Sequence, residues 1–230
     1  MKNPFDFFDK IYCINLNERT DRWQSCLKKF EKYDIQNVER VEAIKPNIYE
    51  DKKTNARLGC VSSWEKVLKK ILNENVNNIL VLEDDFEFRF EKDELFNKLN
   101  NSISELPSDW DIFYLGGMLT DHEINPPIEN YSKHLYKLLS CYSTHSISFS
   151  KKCINEILNF YENDWSDIIV KNFDCVDVFF ARKILYAYNS FISDDLLCFQ
   201  EKGESDIENC YMDTQNYLID SFNLQKEKLK

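Results

Sequence analysis

Three consecutive carboxylates follow directly on an apolar run near the middle of the chain. Ile79–Leu82 is a short run of branched apolar residues, and Glu83, Asp84 and Asp85 come immediately after it. Such a run is typical of a strand buried on both faces of a parallel sheet, and ligands bind beyond the carboxyl ends of such strands. Clustered carboxylates repel one another unless a cation or hydrogen bonds compensate, and hard divalent ions prefer oxygen ligands. The triplet therefore predicts a Mg²⁺ or Mn²⁺ site, with a solvated acidic turn as the alternative.

A second polar group follows the first predicted strand. The segment Lys10–Leu16 has a strand pattern, and an amphipathic helix capped by Thr20 follows it at once, which is how a βαβ unit opens. Asn15, Arg19 and Arg22 then gather at the carboxyl end of the strand, where amide and guanidinium groups can hold a base, a ribose or a phosphate. A polar loop before an exposed helix start explains the same residues equally well.

Two further polar residues stand in apolar surroundings. His145 is in line with Ile147 and Phe149 of a strand-like segment, and a lone histidine on an apolar face is more often a core residue than a catalyst. Asp177 is the single charge of the predicted helix start Cys175–Phe180. It is either a partner of the helix dipole or a base that points into a pocket.

A helix that opens at Gly59 carries an apolar stripe formed by Trp64, Val67 and Leu68 and continued one turn further. Helical spacing of this kind predicts a side that faces the core. Serines at the predicted start, Ser63 among them, could instead present hydroxyls and amides to a ligand.

The rest of the chain alternates strand and helix patterns without a repeat or a linker, which predicts one α/β domain over residues 1–230, with a core at about 10–207 and a helical tail at 208–230. Further strands are predicted at Val38–Ala43, Asp111–Leu115, Ser143–Phe149 and Ile184–Ile192. Further helices are predicted at Leu95–Leu106, after Ser150 and, as a frayed helix, at the end of the chain. Loops are predicted at Lys45–Arg57 and at residues 118–135, and a turn is predicted at Phe199–Ile207.

Composition limits the classes of partner. The chain has 40 acidic and 29 basic residues and a formal charge of −11, which excludes general electrostatic attraction to nucleic acid. If the chain binds phosphates, we expect a metal or backbone amides to hold them. No apolar run reaches the roughly 18 residues of a membrane helix, and the amino terminus lacks the apolar core of a signal peptide. We therefore expect no transmembrane segment and a cytoplasmic protein, with peripheral attachment to a membrane as the alternative.

The 8 scattered Cys predict buried free thiols.

Five segments, in this order, resemble the motifs of glycosyltransferase family 25, which includes bacterial lipooligosaccharide galactosyltransferases and the procollagen galactosyltransferases. The segments are Ile11–Arg22 (IYCINLNERTDR), Leu58–Trp64 (LGCVSSW), Leu82–Asp85 (LEDD), Trp110–Gly116 (WDIFYLG) and Thr144–His145. Asp177 and then Gln200 with Ser205–Ile207 are similar to the closing elements of the family. The resemblance spans about residues 10 to 207.

The resemblance implies a GT-A type, Rossmann-like α/β/α sandwich with a mostly parallel central sheet and a UDP-sugar at its carboxyl edge. It implies a metal-dependent, inverting transfer of a hexose, galactose or glucose, to a hydroxyl of a glycan such as lipooligosaccharide or of a protein such as collagen. Glu83 and Asp85 would link Mn²⁺ or Mg²⁺ to the diphosphate, Asp177 would be the general base, and Asp111 is the reserve for that role. Residues assigned to nucleotide, donor or acceptor contacts are Asn15, Arg19, Arg22, Ser63, Asp84, His145, Gln200, Ser205 and Asp206.

The clearest departure from the family is Trp64, which stands where the family pattern has histidine. This difference keeps a second hypothesis open. The chain is either an active glycosyltransferase or a catalytically silent relative that retains the fold as a binding or interaction module.

Overall fold

The structure, a computed structural model, describes residues 2–160, 175–205 and 210–230. The helices are α1 (Thr20–Lys32), α2 (Lys52–Leu72), α3 (Lys92–Glu105), α4 (which begins at residue 151 and is described as far as residue 160), α5 (Val176–Phe179, continued by a π-helical turn at Phe180–Ile184) and α6 (Gln215–Glu227). The strands are β1 (Lys10–Asn15), β2 (Val38–Glu42), β3 (Asn78–Glu83), β4 (Phe86–Phe88), β5 (Ile112–Tyr114), β6 (Ile128–Asn130), β7 (Leu135–Leu138), β8 (Ser146–Ser150), β9 (Ser190–Ser193), β10 (Cys198–Gln200), β11 (Gly203–Ser205) and β12 (Cys210–Met212).

Eight of these strands form one sheet in the order β2-β1-β3-β8-β5-β9-β7-β6. The pairs β1–β2, β1–β3 and β5–β9 are parallel, whereas β8 and β7 run antiparallel to each of their neighbours. Six of the eight strands, all except β7 and β8, therefore point the same way. The carboxyl ends of β1 and β3 consequently lie side by side at one edge of the sheet.

Alternation along β3 explains the two layers of helices. Ile79 and Val81 face a core cluster shared with α2, α4, α5 and α6, while Leu80 and Leu82 face a second cluster shared with α1 and α3. Successive side chains of a strand point to opposite faces, so one buried apolar strand supports a helical layer on each side. The predicted α/β/α sandwich around a mostly parallel sheet is confirmed.

No helix of the described residues is long and apolar enough to cross a membrane.

Helix α2 begins earlier than the sequence predicted. The pattern predicted a loop as far as Arg57, but the helix begins at Lys52, and the carboxylate of Asp51 caps it by accepting the backbone N–H groups of residues 53 and 54. The residues of the first turns are mostly polar and partly exposed, so no apolar stripe in the sequence indicated a helix there. Ser63 therefore lies in the middle of α2 and not at its start.

Two other predictions were wrong in their extent. The predicted strand Ile184–Ile192 begins only at Ser190, because the preceding helical segment continues through Ile184 and a turn follows it. Ile184 and Leu185 are buried as part of the helical layer, so their apolar character reflects tertiary packing and not strand structure. The predicted loop at residues 118–135 contains β6 and reaches the start of β7.

The carboxyl-terminal part of the chain is more ordered than predicted. The predicted turn Phe199–Ile207 contains β11 and most of β10, and β10 pairs with β4 so that Gln200 lies opposite Phe86. The predicted frayed helix is α6, which is anchored by the buried side chains of Leu218 and Phe222.

A close backbone approach holds β10 beside the end of β5. A Cβ atom on Gly116 would lie 1.9 Å from the carbonyl oxygen of Cys198, a distance that no side chain can accept. Glycine is therefore required at this position. The approach brings Gln200, two residues further along β10, towards the acidic triplet.

Candidate active site

Two pockets meet at the acidic triplet. The first pocket, of about 660 Å³, lies between the end of β1, the residues after β2 (Ala43–Asn47) and one side of α2. The second pocket, of about 170 Å³, lies between residues 143–144, the start of α5 and residues of β10 to β12. Side chains that line both pockets are those of Arg22, Cys60, Glu83, Asp85 and Gln200. The carboxylates thus stand at the junction of two separate spaces.

Glu83 is held by two donors on the same oxygen. The indole Nε1 of Trp64 donates to Oε1 at 2.8 Å, and the hydroxyl of Thr144 donates to the same atom at 2.7 Å. Burial, and next the charge of Asp85, raise the pKa of Glu83 to about 7. Oε2 accepts no hydrogen bond from the described residues, so it is the oxygen that remains for a ligand.

Asp84 lines the first pocket and is also part of a buried polar network. Its carboxylate accepts from Asn15 Nδ2 at 2.6 Å and from the guanidinium of Arg22 at 2.7 Å. Asn15 in turn accepts from Arg40 through Oδ1, at 2.9 Å from Nε. Arg40 also lies over the ring of Trp23, at 5.1 Å from its centroid. The network fixes the turn after β3 and neutralises Asp84 with a cation.

Asp85 carries the clearest unsatisfied acceptor of the site. Its Oδ1 is buried and has no hydrogen-bond partner among the described residues, and its Oδ2 is 3.8 Å from Arg22. Burial, and next the charge of Asp84, raise the pKa of Asp85 to about 6. A buried acceptor without a partner is costly in a folded protein, unless a bound group supplies what is missing.

The carboxylates suit a divalent ion only together with a second set of ligands. Within the described part of the chain, no three or more His, Cys, Asp or Glu side chains are grouped so that they could hold a metal by themselves. Mg²⁺ is often held in proteins by one or two carboxylates with phosphate oxygens of the substrate and waters completing the shell. The orphaned Oδ1 of Asp85 and the available Oε2 of Glu83 fit that partial donor set.

Asp177 lies on the wall of the second pocket. Its two oxygens accept backbone N–H groups, Oδ2 from Ser143 at 3.1 Å and Oδ1 from Val178 at 2.8 Å. Burial raises the pKa of this carboxyl, and these backbone hydrogen bonds oppose the shift. An aspartate that is oriented by backbone amides and faces a pocket can accept a proton from a bound hydroxyl.

One face of α2 builds the wall between the pockets. Gly59 lets the helix approach the Ile44 carbonyl, since a Cβ there would lie 2.5 Å from that oxygen. The hydroxyl of Ser63 donates to the Gly59 carbonyl and accepts the Ile44 N–H at 2.8 Å. Cys60 and Trp64 lie on the same face, at helical spacing. The motif Leu58–Trp64 therefore anchors the pocket loop and supports Glu83, and the Ser63 hydroxyl already has both of these partners.

Three of the predicted site residues are not brought to the pockets. Arg19 pairs with Asp21 at the exposed start of α1, at 3.1 Å. Asp111 precedes β5 at the opposite edge of the sheet, where it pairs with Lys152 at 3.2 Å. His145 is fully buried, with Nε2 at 3.2 Å from the Cys198 carbonyl oxygen, and burial lowers its pKa to about 4. Its neighbours make it a core residue beneath the site.

Two predicted residues lie partly or wholly outside the described residues. Ser205 ends β11, and its side chain lies outside what the structure describes, as does the whole of Asp206. The other predicted residues, Asn15, Arg22, Ser63, Asp84 and Gln200, all line the first pocket together with Glu83 and Asp85.

Several residues of the site were missed by the sequence reasoning. Arg40 lies in β2 opposite Cys13 of β1, so a correct pairing of the two predicted strands would have placed it near Asn15. Lys45, Lys52 and Lys53 line the first pocket and bring positive charge to a very acidic chain. The two lysines of α2 were hidden because the start of that helix was predicted too late.

The family of the chain follows from a match along almost its whole length. Residues 8–221 match the model of glycosyltransferase family 25, which is described as an LPS biosynthesis protein family. The chain belongs to glycosyltransferase family 25. Together with the three-layer sandwich, this match confirms the GT-A type fold class that the sequence motifs implied.

Curated relatives are similar over part of the chain. Human procollagen galactosyltransferase 2 is 25% identical over 129 residues, which cover 47% of this chain and 21% of the relative. Procollagen galactosyltransferase 1 of Danio rerio is 30% identical over 134 residues, with the same coverage. The matched part therefore spans about a fifth of the length of these relatives.

Solved structures show a more distant likeness. A glycosyltransferase involved in the glycosylation of the major capsid of PBCV-1 is 11% identical, with a TM-score of 0.47 and coverage of 87% of this chain and 95% of that chain. The glycosyltransferase GlyE of Streptococcus pneumoniae is 7% identical, with a TM-score of 0.41 and coverage of 79% and 44%. At these scores the comparison adds nothing to the family assignment.

Proposed function

We propose that this chain is a metal-dependent, inverting glycosyltransferase that moves a hexose from a UDP-sugar to a hydroxyl of a glycan or protein acceptor. The observation that carries the proposal is the junction of two pockets at Glu83 and Asp85, with Asp177 also lining the second pocket. Family membership supports glycosyl transfer, and the names of the procollagen galactosyltransferases favour galactose over glucose.

The first pocket has the size and charge of a nucleotide site. It is the larger space, and Arg22 with three lysines on its rim can compensate a diphosphate. The network of Arg40, Asn15 and Asp84 fixes one end of this pocket. In the proposal Arg22 contacts both the network and the phosphates, whereas the network itself orients the turn.

The second pocket would bind the acceptor. Asp177 takes the proton from the acceptor hydroxyl while that oxygen attacks the anomeric carbon, and the bond from that carbon to the UDP phosphate breaks. Because the nucleophile arrives from the second pocket and UDP departs into the first, attack and departure lie on opposite faces of the sugar. That arrangement inverts the anomeric configuration.

A divalent ion is part of the proposal. When bound, Mn²⁺ or Mg²⁺ stabilises the negative charge that develops on the departing diphosphate. Glu83 and Asp85 would hold it through Oε2 and Oδ1, the two oxygens that accept no hydrogen bond from the described residues. The cytoplasmic location expected from the sequence stays a prediction.

Donor hydrolysis and transfer test this function. We expect release of UDP from UDP-galactose in the presence of Mn²⁺, slower release from UDP-glucose, and loss of most of the activity in Asp85→Asn. Asp93→Asn, in the exposed first turn of α3, is the matched control and should keep wild-type rates. Full activity in Asp85→Asn would exclude the metal role assigned to this residue.

The silent-module hypothesis was motivated by Trp64 alone. The structure shows that this tryptophan donates a hydrogen bond to Glu83, so the departure from the family pattern leaves the carboxylate supported. Nucleotide binding without any turnover on a panel of UDP-sugars would favour the module over the enzyme.

A further inference from the structure

Trp64 and Thr144 form an arrangement that the proposed reaction does not by itself explain. Both side chains donate to Glu83 Oε1, at 2.8 Å and 2.7 Å, although Glu83 has a second oxygen that could have shared the two hydrogen bonds. Two donors on one oxygen fix the rotation of the carboxylate group about its last bond. They also keep Oε1 as an acceptor, so that Oε2 is the oxygen that accepts no hydrogen bond from the described residues.

The indole is itself held rigidly. Trp64 is fully buried and packs against Phe149 and Phe180, with ring centroids 6.1 Å and 5.9 Å away. Phe149 belongs to β8 and Phe180 to the π-helical turn after α5, so the ring is clamped between the sheet and a second helical element. A donor in such a position loses little entropy when it makes its hydrogen bond.

Thr144 is positioned by the sheet. The N–H of Glu83 donates to the carbonyl of the next residue, His145, at 3.0 Å, which extends the antiparallel pairing of β3 and β8 by one step. This backbone hydrogen bond fixes the position of Thr144 relative to Glu83. One donor therefore lies on α2 and the other just before β8, and both contact the same oxygen atom.

We propose that Trp64 and Thr144 are positioning residues that hold Glu83 in a single orientation, with Oε2 directed at the ligand of this site. The inference rests on the proposed function, because it assumes that the ligand includes the divalent ion bound with UDP. It explains how tryptophan can stand where the family pattern has histidine, since the indole N–H supplies a donor at this place. Supporting donors of this kind typically change metal affinity or activity by about 10–100-fold when they are removed.

The test compares Trp64→Phe, Trp64→His and Thr144→Val with the wild type. Trp64→Phe removes the donor and keeps an aromatic ring, Thr144→Val removes the hydroxyl at almost constant shape, and Trp64→His restores a ring N–H. We expect Trp64→Phe and Thr144→Val each to lower kcat and the affinity for Mn²⁺ in the presence of UDP by about 10–100-fold, with the KM for the donor sugar changed much less. Trp64→His should recover a large part of both losses.

A purely structural role would give a different result. In that case kcat and Mn²⁺ affinity would fall only in step with the melting temperature, and Thr144→Val, which changes the core little, would behave as wild type. Wild-type kcat and Mn²⁺ affinity in a folded Trp64→Phe, or a Trp64→His that is no better than Trp64→Phe, would overturn the inference.

A readout without catalysis separates this inference from the proposed function. The indole N–H resonance of Trp64 in a ¹⁵N spectrum should be protected from exchange and should shift in Glu83→Leu, whether or not the protein transfers sugar. If the wild type neither turns over nor binds UDP, the proposed function fails, and the resonance still decides whether the hydrogen bond exists. A Trp64 resonance that exchanges rapidly and ignores Glu83→Leu would contradict the positioning role.

Discussion

At the scale of single residues, Asp177 is the side chain on which the proposed reaction depends most. Its carboxylate is oriented by two backbone amides, and burial raises its pKa. We expect Asp177→Asn to lower kcat by about 10²–10⁴-fold, because the amide cannot accept the acceptor proton, while the donor KM stays nearly constant. Steady-state transfer assays measure both values.

The control for this prediction is Asp111→Asn. Asp111 is the other aspartate that the sequence offered as a base, and it lies at the opposite edge of the sheet in an ion pair with Lys152. Its replacement should leave kcat unchanged. A similar loss of kcat in both variants would show that neither effect arises from proton transfer at the second pocket.

The sequence singled out most residues of the candidate site but not the contacts between them. Glu83, Asp85 and Asp177 could be singled out because charges inside apolar runs are rare. Arg40 could not be singled out, and neither could the pairing of Asn15 and Arg22 with Asp84, because these contacts join residues that are far apart in the chain. Asp111 and His145 were overrated for a related reason, since a short strand pattern does not reveal which edge or face a polar residue occupies.

At the scale of elements, the contact between α2 and the loop after β2 shapes the first pocket. A Cβ on residue 59 would lie 2.5 Å from the Ile44 carbonyl oxygen and 3.0 Å from Pro46. Replacing Gly by Ala inside a helix normally stabilises it by about 1 kcal/mol, but the clash should outweigh that gain. We expect Gly59→Ala to lower the free energy of unfolding by about 1–3 kcal/mol and to raise the donor KM, as measured by urea unfolding and kinetics.

Gly203→Ala is the matched control for stability. A Cβ on Gly203 meets no atom within 4 Å, so this variant should unfold at nearly the wild-type urea concentration. Equal stability of Gly59→Ala and wild type would mean that the loop after β2 is free to move away from α2.

Elements with a clear apolar pattern were predicted well, and those without one were not. α3 was recognised because its apolar residues recur at helical spacing, and β1 and β3 because each is a short, almost continuously buried apolar run. The start of α2 was missed because its first turns are polar, and the strand expected from Ile184 proved to be mainly helix and turn because tertiary burial, not strand pairing, explains the apolar residues there.

At the scale of the whole molecule, the buried carboxylates of the site should lower the free energy of unfolding when no cation is bound. Burial and the charge of Asp85 raise the pKa of Glu83 from 4.5 to about 7. Between these pH values the folded protein retains a proton that the unfolded chain releases, so the contribution of Glu83 to stability falls as the pH rises from about 4.5 to about 7. Glu83→Gln removes this dependence.

We therefore expect Glu83→Gln, with metal chelated, to match the wild type near pH 4.5 and to exceed it by roughly 1–3 kcal/mol at pH 8. Urea unfolding at both pH values measures the difference, and Glu50→Gln at an exposed position serves as the control. A variant that is less stable than the wild type at pH 8 would show that the Glu83 charge is already compensated within the protein.

In the proposed function, the acidic triplet binds a nucleotide diphosphate through a divalent ion. Calorimetric titration of UDP into the wild type and into Asp85→Asn, with Mn²⁺ and then with the metal chelated, is the first test of this binding. We expect Mn²⁺-dependent binding to the wild type and at least about tenfold weaker binding to Asp85→Asn. Equal binding with and without the metal, or no binding under either condition, would contradict it.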